Sequence, residues 1–146
     1  MQYREGTFGR IFVVKVEDGD ELIESIKKVA EEEEIRTAAF IMLGALRAAS
    51  FVSGPKEPVL PPEQVWKSFS DGREIMGVGT IYKSDNEPSI HLHISIGKGE
   101  EAHVGCLRES GQVYIVVEVV IFEINGIEAE RIFDKNLGLK TIKFIN

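Results

Sequence analysis

Val113-Tyr114-Ile115-Val116-Val117-Glu118-Val119-Val120-Ile121-Phe122 is the most apolar run of the chain, the centre of a segment from Gln112 to Ile124. β-branched and aromatic residues dominate it, so it reads as a strand. Successive side chains of a strand point to opposite faces, and here both sets are apolar. That pattern places the strand in the interior of a sheet. Glu118 alone breaks it. A charged carboxylate in apolar surroundings costs several kcal/mol or titrates upward unless it is paired. Arg47 is one candidate partner. A histidine is another, because metal-bound imidazoles commonly donate their second N–H to a carboxylate. The remaining reading puts Glu118 at a sheet edge or subunit boundary, facing water.

More strands flank this one. Residues 8–16, 37–43, 48–52, 66–69 and 74–82 are rich in β-branched, aromatic or alternating apolar residues. Gly44 bends the chain between the second and third of these. Gly77 and Gly79 mark a bulge or a close neighbour in the 74–82 segment. Residues 54–62 carry four prolines and read as a surface loop. Asn125-Gly126 is a turn signal, and residues 130–146 pack back over the sheet. Between the first two strands, Leu22, Ile23, Ile26, Val29 and Ala30 recur at helical spacing. Asp20 is placed to cap that helix, and the run Glu31 to Glu34 opposes its dipole and ends it. One helix among so many strands predicts an α+β fold, with the helix on one face of a largely antiparallel sheet.

The three histidines of the chain, His91, His93 and His103, lie within thirteen residues of one another. On a strand His91 and His93 share a face, with Leu92 pointing the other way. The run from Gly97 to Glu101 can reverse the chain and return His103 toward His93. Three imidazoles converging from adjacent strands suit Zn²⁺ or a similar divalent ion, and such a site leaves a fourth position open. Zinc, nickel, copper and iron all accept this donor set. The bland alternative is a pair of half-exposed histidines bonded to water or a carboxylate.

Length and composition restrict the function classes. A chain of 146 residues with 43% hydrophobic and 28% charged residues fits one soluble domain, 1–146. No apolar run approaches the roughly 20 residues that span a bilayer. The first residues lack the basic-then-apolar layout of a secretory signal. A single cysteine, Cys106, excludes an internal disulfide and points to a reducing, cytoplasmic setting. A formal net charge of −7 repels phosphate backbones, so nucleic-acid binding is not expected. Gly97-Lys98-Gly99 matches no phosphate-binding loop. Ser95 and His93 sit two residues apart on one strand, a geometry unsuited to a nucleophile and its base. Cys106, with Arg108 nearby to lower its pKa, reads first as a buried, inert thiol.

The order of motifs carries a family resemblance. Gly19-Asp20-Glu21-Leu22 is followed by Ile41-Met42-Leu43-Gly44-Ala45-Leu46-Arg47, then by Glu74-Ile75-Met76-Gly77-Val78-Gly79-Thr80-Ile81. Pro88-Ser89-Ile90-His91-Leu92-His93, Val104-Gly105-Cys106-Leu107 and Val117-Glu118-Val119-Val120 come next. Arg131 to Leu139 closes the series. Over nearly its whole length the chain resembles the PPC (plants and prokaryotes conserved) domain family, in its prokaryotic single-domain branch. The resemblance implies an antiparallel α+β fold, assembly as a homotrimer, and metal binding by the His-x-His pair. Plant members join the domain to AT-hooks that bind DNA. This chain has no Arg-Gly-Arg-Pro core, so that role does not carry over. Family members often have Gly-Gly-His-Leu where this chain has Val104-Gly105-Cys106-Leu107, which makes Cys106 an alternative ligand. His103 and Cys106 are three residues apart and so face opposite ways on a regular strand. At most one of them joins His91 and His93, and the expectation is His103.

The expected protein is therefore a cytoplasmic, trimeric, zinc-binding domain of unassigned role, with His91, His93 and His103 as ligands. Two other classes stay in view. One is a metal-dependent hydrolase or lyase using the open position. The other is a regulatory module that binds DNA or protein.

Overall fold

The computed structural model describes residues 1–145. β1 (Thr7–Glu17) turns at Gly19 into α1 (Leu22–Glu32). There follow β2 (Ala38–Pro55), β3 (Gln64–Phe69), β4 (Arg73–Ser84), β5 (Glu87–Lys98), β6 (Glu101–Asn125), β7 (Ala129–Asp134) and β8 (Leu139–Phe144). All neighbouring strands are antiparallel except for one parallel rung, Lys83–Glu130, which ties β7 to β4. The architecture is the expected α+β one, with α1 as the single α-helix among the described residues.

Local details differ from the sequence reading. Glu21, not Asp20, occupies the helix N-cap position, and it makes no side-chain cap. The Asp20 carboxylate instead accepts the Glu17 N–H at 3.2 Å and closes the turn. The Glu21 carboxylate accepts the Gly111 N–H at 3.0 Å, which ties the start of the helix to β6. At the other end the acidic run does stop the helix, and Glu34 takes a positive φ of 54°.

Residues 37–43 and 48–52 are not two strands but parts of one, β2. The strand runs on through Gly44, and it is the partner β6 that bulges there, with Ile115 and Val116 as the extra residues. Gly44 has φ +148°, and a Cβ there would run into the Val116 carbonyl, so only glycine fits. On the partner strand Ile115 takes φ 64°, a genuine outlier for a β-branched residue. Its N–H is held by the Asp18 carboxylate at 2.8 Å, and the same carboxylate oxygen accepts from Arg47 at 2.8 Å.

β2 pairs along one edge with β6 and along the other with β4, while β5 bridges β4 and β6. Four strands thus close on themselves. Phe40, Ile81, Leu92, Ile94, Val117, Val119 and Ile121 fill the inside, and Leu22 and Ile26 of α1 join the same core. Phe40 fits because Gly79, its rung partner on β4, has no side chain to collide with the ring.

The other face of these strands is open. Val120, Ile41, Val78 and His93 lie along one rung. Glu118, Leu43, Met76, Ser95 and Val104 lie along the next. Leu43 is 58% exposed, Met76 64% and Val78 62%. The central run of β6 is therefore buried on one face only, against the expectation from its sequence. Its second apolar face helps line a groove of about 530 Å³.

An ion cluster closes one end of the β4–β5–β6 sheet. Asp71 accepts from Arg73 at 2.8 Å and from Lys98, and Arg73 reaches Glu101 at 3.1 Å. The Arg73 guanidinium, helped by Lys98, holds the Asp71 carboxyl down to about 2. A depressed carboxyl pKa contributes stability above its unfolded value, lost as pH falls toward the folded one. Asp71→Asn should therefore flatten the loss of stability between about pH 4 and about pH 2, by a small amount because the cluster is exposed. Urea denaturation at a series of acid pH values measures this. Phe40→Ala should cost about 3–5 kcal/mol by the same method at neutral pH, as expected for an aromatic ring removed from a packed core.

Candidate metal centre

The hairpin between β5 and β6 decides which side chains meet. Lys98 pairs with Glu101, leaving Gly99 and Glu100 as a two-residue turn, with Gly99 at φ 58°. Counting back along the ladder, Ile96 pairs with His103 and His93 with Cys106. Rung partners share a face, so Cys106 stands beside His93.

His91 and His93 project from the same face of β5, with their Nε2 atoms 3.2 Å apart and their rings edge to face at 4.9 Å. One ligand atom from each of His91, His93 and Cys106 lies within 4.8 Å of the others. Donors bound to a tetrahedral zinc ion stand about 3.3–3.7 Å apart, so a small inward adjustment of rotamers brings this trio to bonding geometry.

His103 is not part of the cluster. It lies on the opposite face, half-buried, with its ring 6.2 Å from that of Phe51. The turn brings His103 back toward β5, but three rungs away from His93. Glu118 also stands apart. It is exposed on the open face, opposite Leu43 and Lys15, and it makes no ion pair among the described residues. Arg47, one of its candidate partners, binds Asp18 and lies over the Tyr114 ring. Of the readings for Glu118, the solvent-facing one holds in the single protomer.

The electrostatics act in opposite directions on His91 and Cys106. Burial, then the positive charges of Arg131, His93 and Arg108, push the His91 imidazole down to about 4. At neutral pH it is uncharged, with a lone pair free to ligate. Burial pushes the Cys106 thiol up, while Arg108 and Arg131 pull the other way. An unloaded site thus holds a protonated thiol, which a bound cation would deprotonate.

Arg131 is the residue that sequence reasoning did not connect to the site. Its Nη2 donates to Thr80 Oγ1 at 2.8 Å, and Thr80 is the rung partner of His91. Its guanidinium also lies over the Tyr82 ring. No local signal joins Arg131 to the histidines. The parallel rung Lys83–Glu130 delivers it from a distant part of the chain.

With the hairpin register and the donor trio established, comparison with known proteins becomes informative. The sequence matches the Plants and Prokaryotes Conserved (PCC) domain over residues 3–125. The chain belongs to this family. A metal-containing protein from Archaeoglobus fulgidus superposes with a TM-score of 0.86 at 30% identity, covering 97% of this chain and 98% of that one. A plant- and prokaryote-conserved protein from Pyrococcus horikoshii gives 0.82 at 27% identity, covering 97% of each chain. A Bacteroides thetaiotaomicron protein proposed to bind DNA gives 0.80 at 21% identity over 97% of this chain and 99% of that one, a likeness of fold alone. No curated protein matches the chain in sequence.

The PCC-domain fold thus presents two imidazoles and a thiol from neighbouring strands of one hairpin. No helix among the described residues is long and apolar enough to cross a membrane.

Proposed function

We propose that this PCC-domain protein binds a divalent metal ion, zinc foremost, through His91, His93 and Cys106. The observation that carries the reading is the convergence of those three donor atoms on one sheet face. The similarity to a metal-containing protein of Archaeoglobus fulgidus supports it. Two neutral imidazoles and a thiolate are a borderline-soft set that suits zinc better than oxygen-seeking cations such as magnesium or calcium. A lone cysteine in this role also needs a compartment that keeps it reduced, which is the basis for assigning the protein to the cytoplasm. Bound there with three protein ligands, zinc would act as a Lewis acid with one exchangeable position.

Assembly as a homotrimer belongs to the same proposal. Its support is the open apolar face, where Ile41, Leu43, Met76, Val78 and Val104 are each at least half exposed. Monomeric proteins rarely leave a contiguous patch of that kind uncovered. Glu118 and His93 lie at the same groove. A subunit boundary there matches the family resemblance and the solvent-facing Glu118.

Two measurements test these statements. Elemental analysis of the purified protein should find about one metal ion per chain, a content lost in His91→Ala and Cys106→Ser and kept in His103→Ala. Metal retained by Cys106→Ser and lost by His103→Ala would overturn the ligand set. For assembly, sedimentation velocity should give a trimer for the wild type. Val78→Asp, which sets a carboxylate in the middle of the apolar face, should shift the protein toward monomer.

A further inference from the structure

Two arginines flank the trio without a carboxylate to answer them. Arg108 follows Cys106 by two residues on β6 and so shares its face. It stands one position past the last paired rung, Leu92–Leu107, in line with His91. Arg131 reaches the other side through Thr80. Neither forms an ion pair among the described residues, in a chain whose acidic residues outnumber its basic ones. The Arg131 Nε is buried and has no hydrogen-bond partner among the described residues. A buried guanidinium N–H left unpaired is costly, and such a donor calls for an acceptor.

The charge balance points the same way. A divalent ion with two neutral imidazoles and one thiolate keeps one positive charge, and the two guanidiniums add two more. Carboxylate and phosphate oxygens match both the planar fork of arginine and the remaining position of a three-ligand zinc. Beside the cluster lies a cavity of about 320 Å³ that Cys106, His93 and Arg108 share with the apolar Val52, Pro62 and Leu139. That volume exceeds what a bare inorganic ion needs, and its apolar wall suits a short carbon chain.

We propose that the centre receives a small organic anion, with its carboxylate or phosphate group between the metal and the pair Arg108 and Arg131, and its carbon body against Val52, Pro62 and Leu139. This inference rests on the metal reading above, so its test separates the two. The protein is loaded with Co²⁺, whose visible spectrum reports both thiolate ligation and any change of ligand. The probes are acetate, butyrate and butyl phosphate.

Butyrate or butyl phosphate should change the cobalt bands saturably, and the tighter of the two names the head group. Butyrate should bind about tenfold more tightly than acetate, from the two added methylenes. Arg131→Gln and Arg108→Gln should each weaken binding about tenfold or more. Both variants should take up cobalt in the same stoichiometry as the wild type, which also shows that they fold. Arg131→Lys should recover part of the loss. Failure to take up cobalt with a thiolate band overturns the metal reading, and this inference with it. Cobalt bound with a spectrum indifferent to all three probes overturns this inference alone. So does binding unchanged in both glutamine variants, while equal affinity for acetate and butyrate overturns the assignment of an organic body.

Discussion

The fold depends on β2 being paired along both edges. Because β6 lies on one side of Phe40 and β4 on the other, the sheet must curl until β5 closes the gap between them. Curling at that radius needs room on the inside and slack in the backbone. Gly79 supplies the room by yielding its side-chain space to Phe40, and the β6 bulge facing Gly44 supplies the slack. The strain that collects within the bulge, at Ile115, is held by one carboxylate, that of Asp18.

Closure also sorts the apolar residues into two populations. Those facing inward meet α1 and one another and are lost to solvent. Those facing outward, from Val120 across Ile41 to Val78, form a band that ends at His93. The donor trio therefore sits at the margin of the open apolar face, with a second, smaller cavity on its Cys106 side. Any subunit that covers this face comes close to the histidines. The same arrangement explains Glu118. Its strand is apolar on both sides for two different reasons, one the protomer core and the other an outer surface, and the carboxylate lies on the outer side.

How much of this was legible in the chain depends on the range of the interaction. Short-range patterns were read correctly: the stripe of α1, the turn at Asn125-Gly126, and the shared face of His91 and His93. The antiparallel α+β class followed from them. The resemblance found in the motif order was sound too, since the family is now shown. Apart from the Asp20 cap, a local misreading, what failed needed a register or a distant partner. Whether His103 or Cys106 meets His93 turns on the number of residues in one hairpin loop, and the sequence from Gly97 to Glu101 allows more than one count. The two-residue count would have selected Cys106, because Gly99 is the position that requires a positive φ. Arg131 belonged to a motif of the family resemblance but carried no signal that linked it to the histidines. Nothing near it in the chain hints that a single parallel rung brings it beside Thr80. The Arg47–Glu118 pairing failed because periodicity gives a residue's face and not its neighbour.

The hairpin turn between β5 and β6 has a consequence for how relatives of this protein are compared. With side chains alternating at every step, one residue added between Lys98 and Glu101 would rotate Cys106 to the far side of the ladder and bring a neighbour to His93 in its place. A homologue could thus preserve every donor letter and still lose the convergence of the three donors through a single insertion that touches none of them. Conversely, a homologue with a shifted loop could rebuild the centre from a different column of the alignment. Loop length thus decides, as much as the identity of the donor residues, which side chains meet His93.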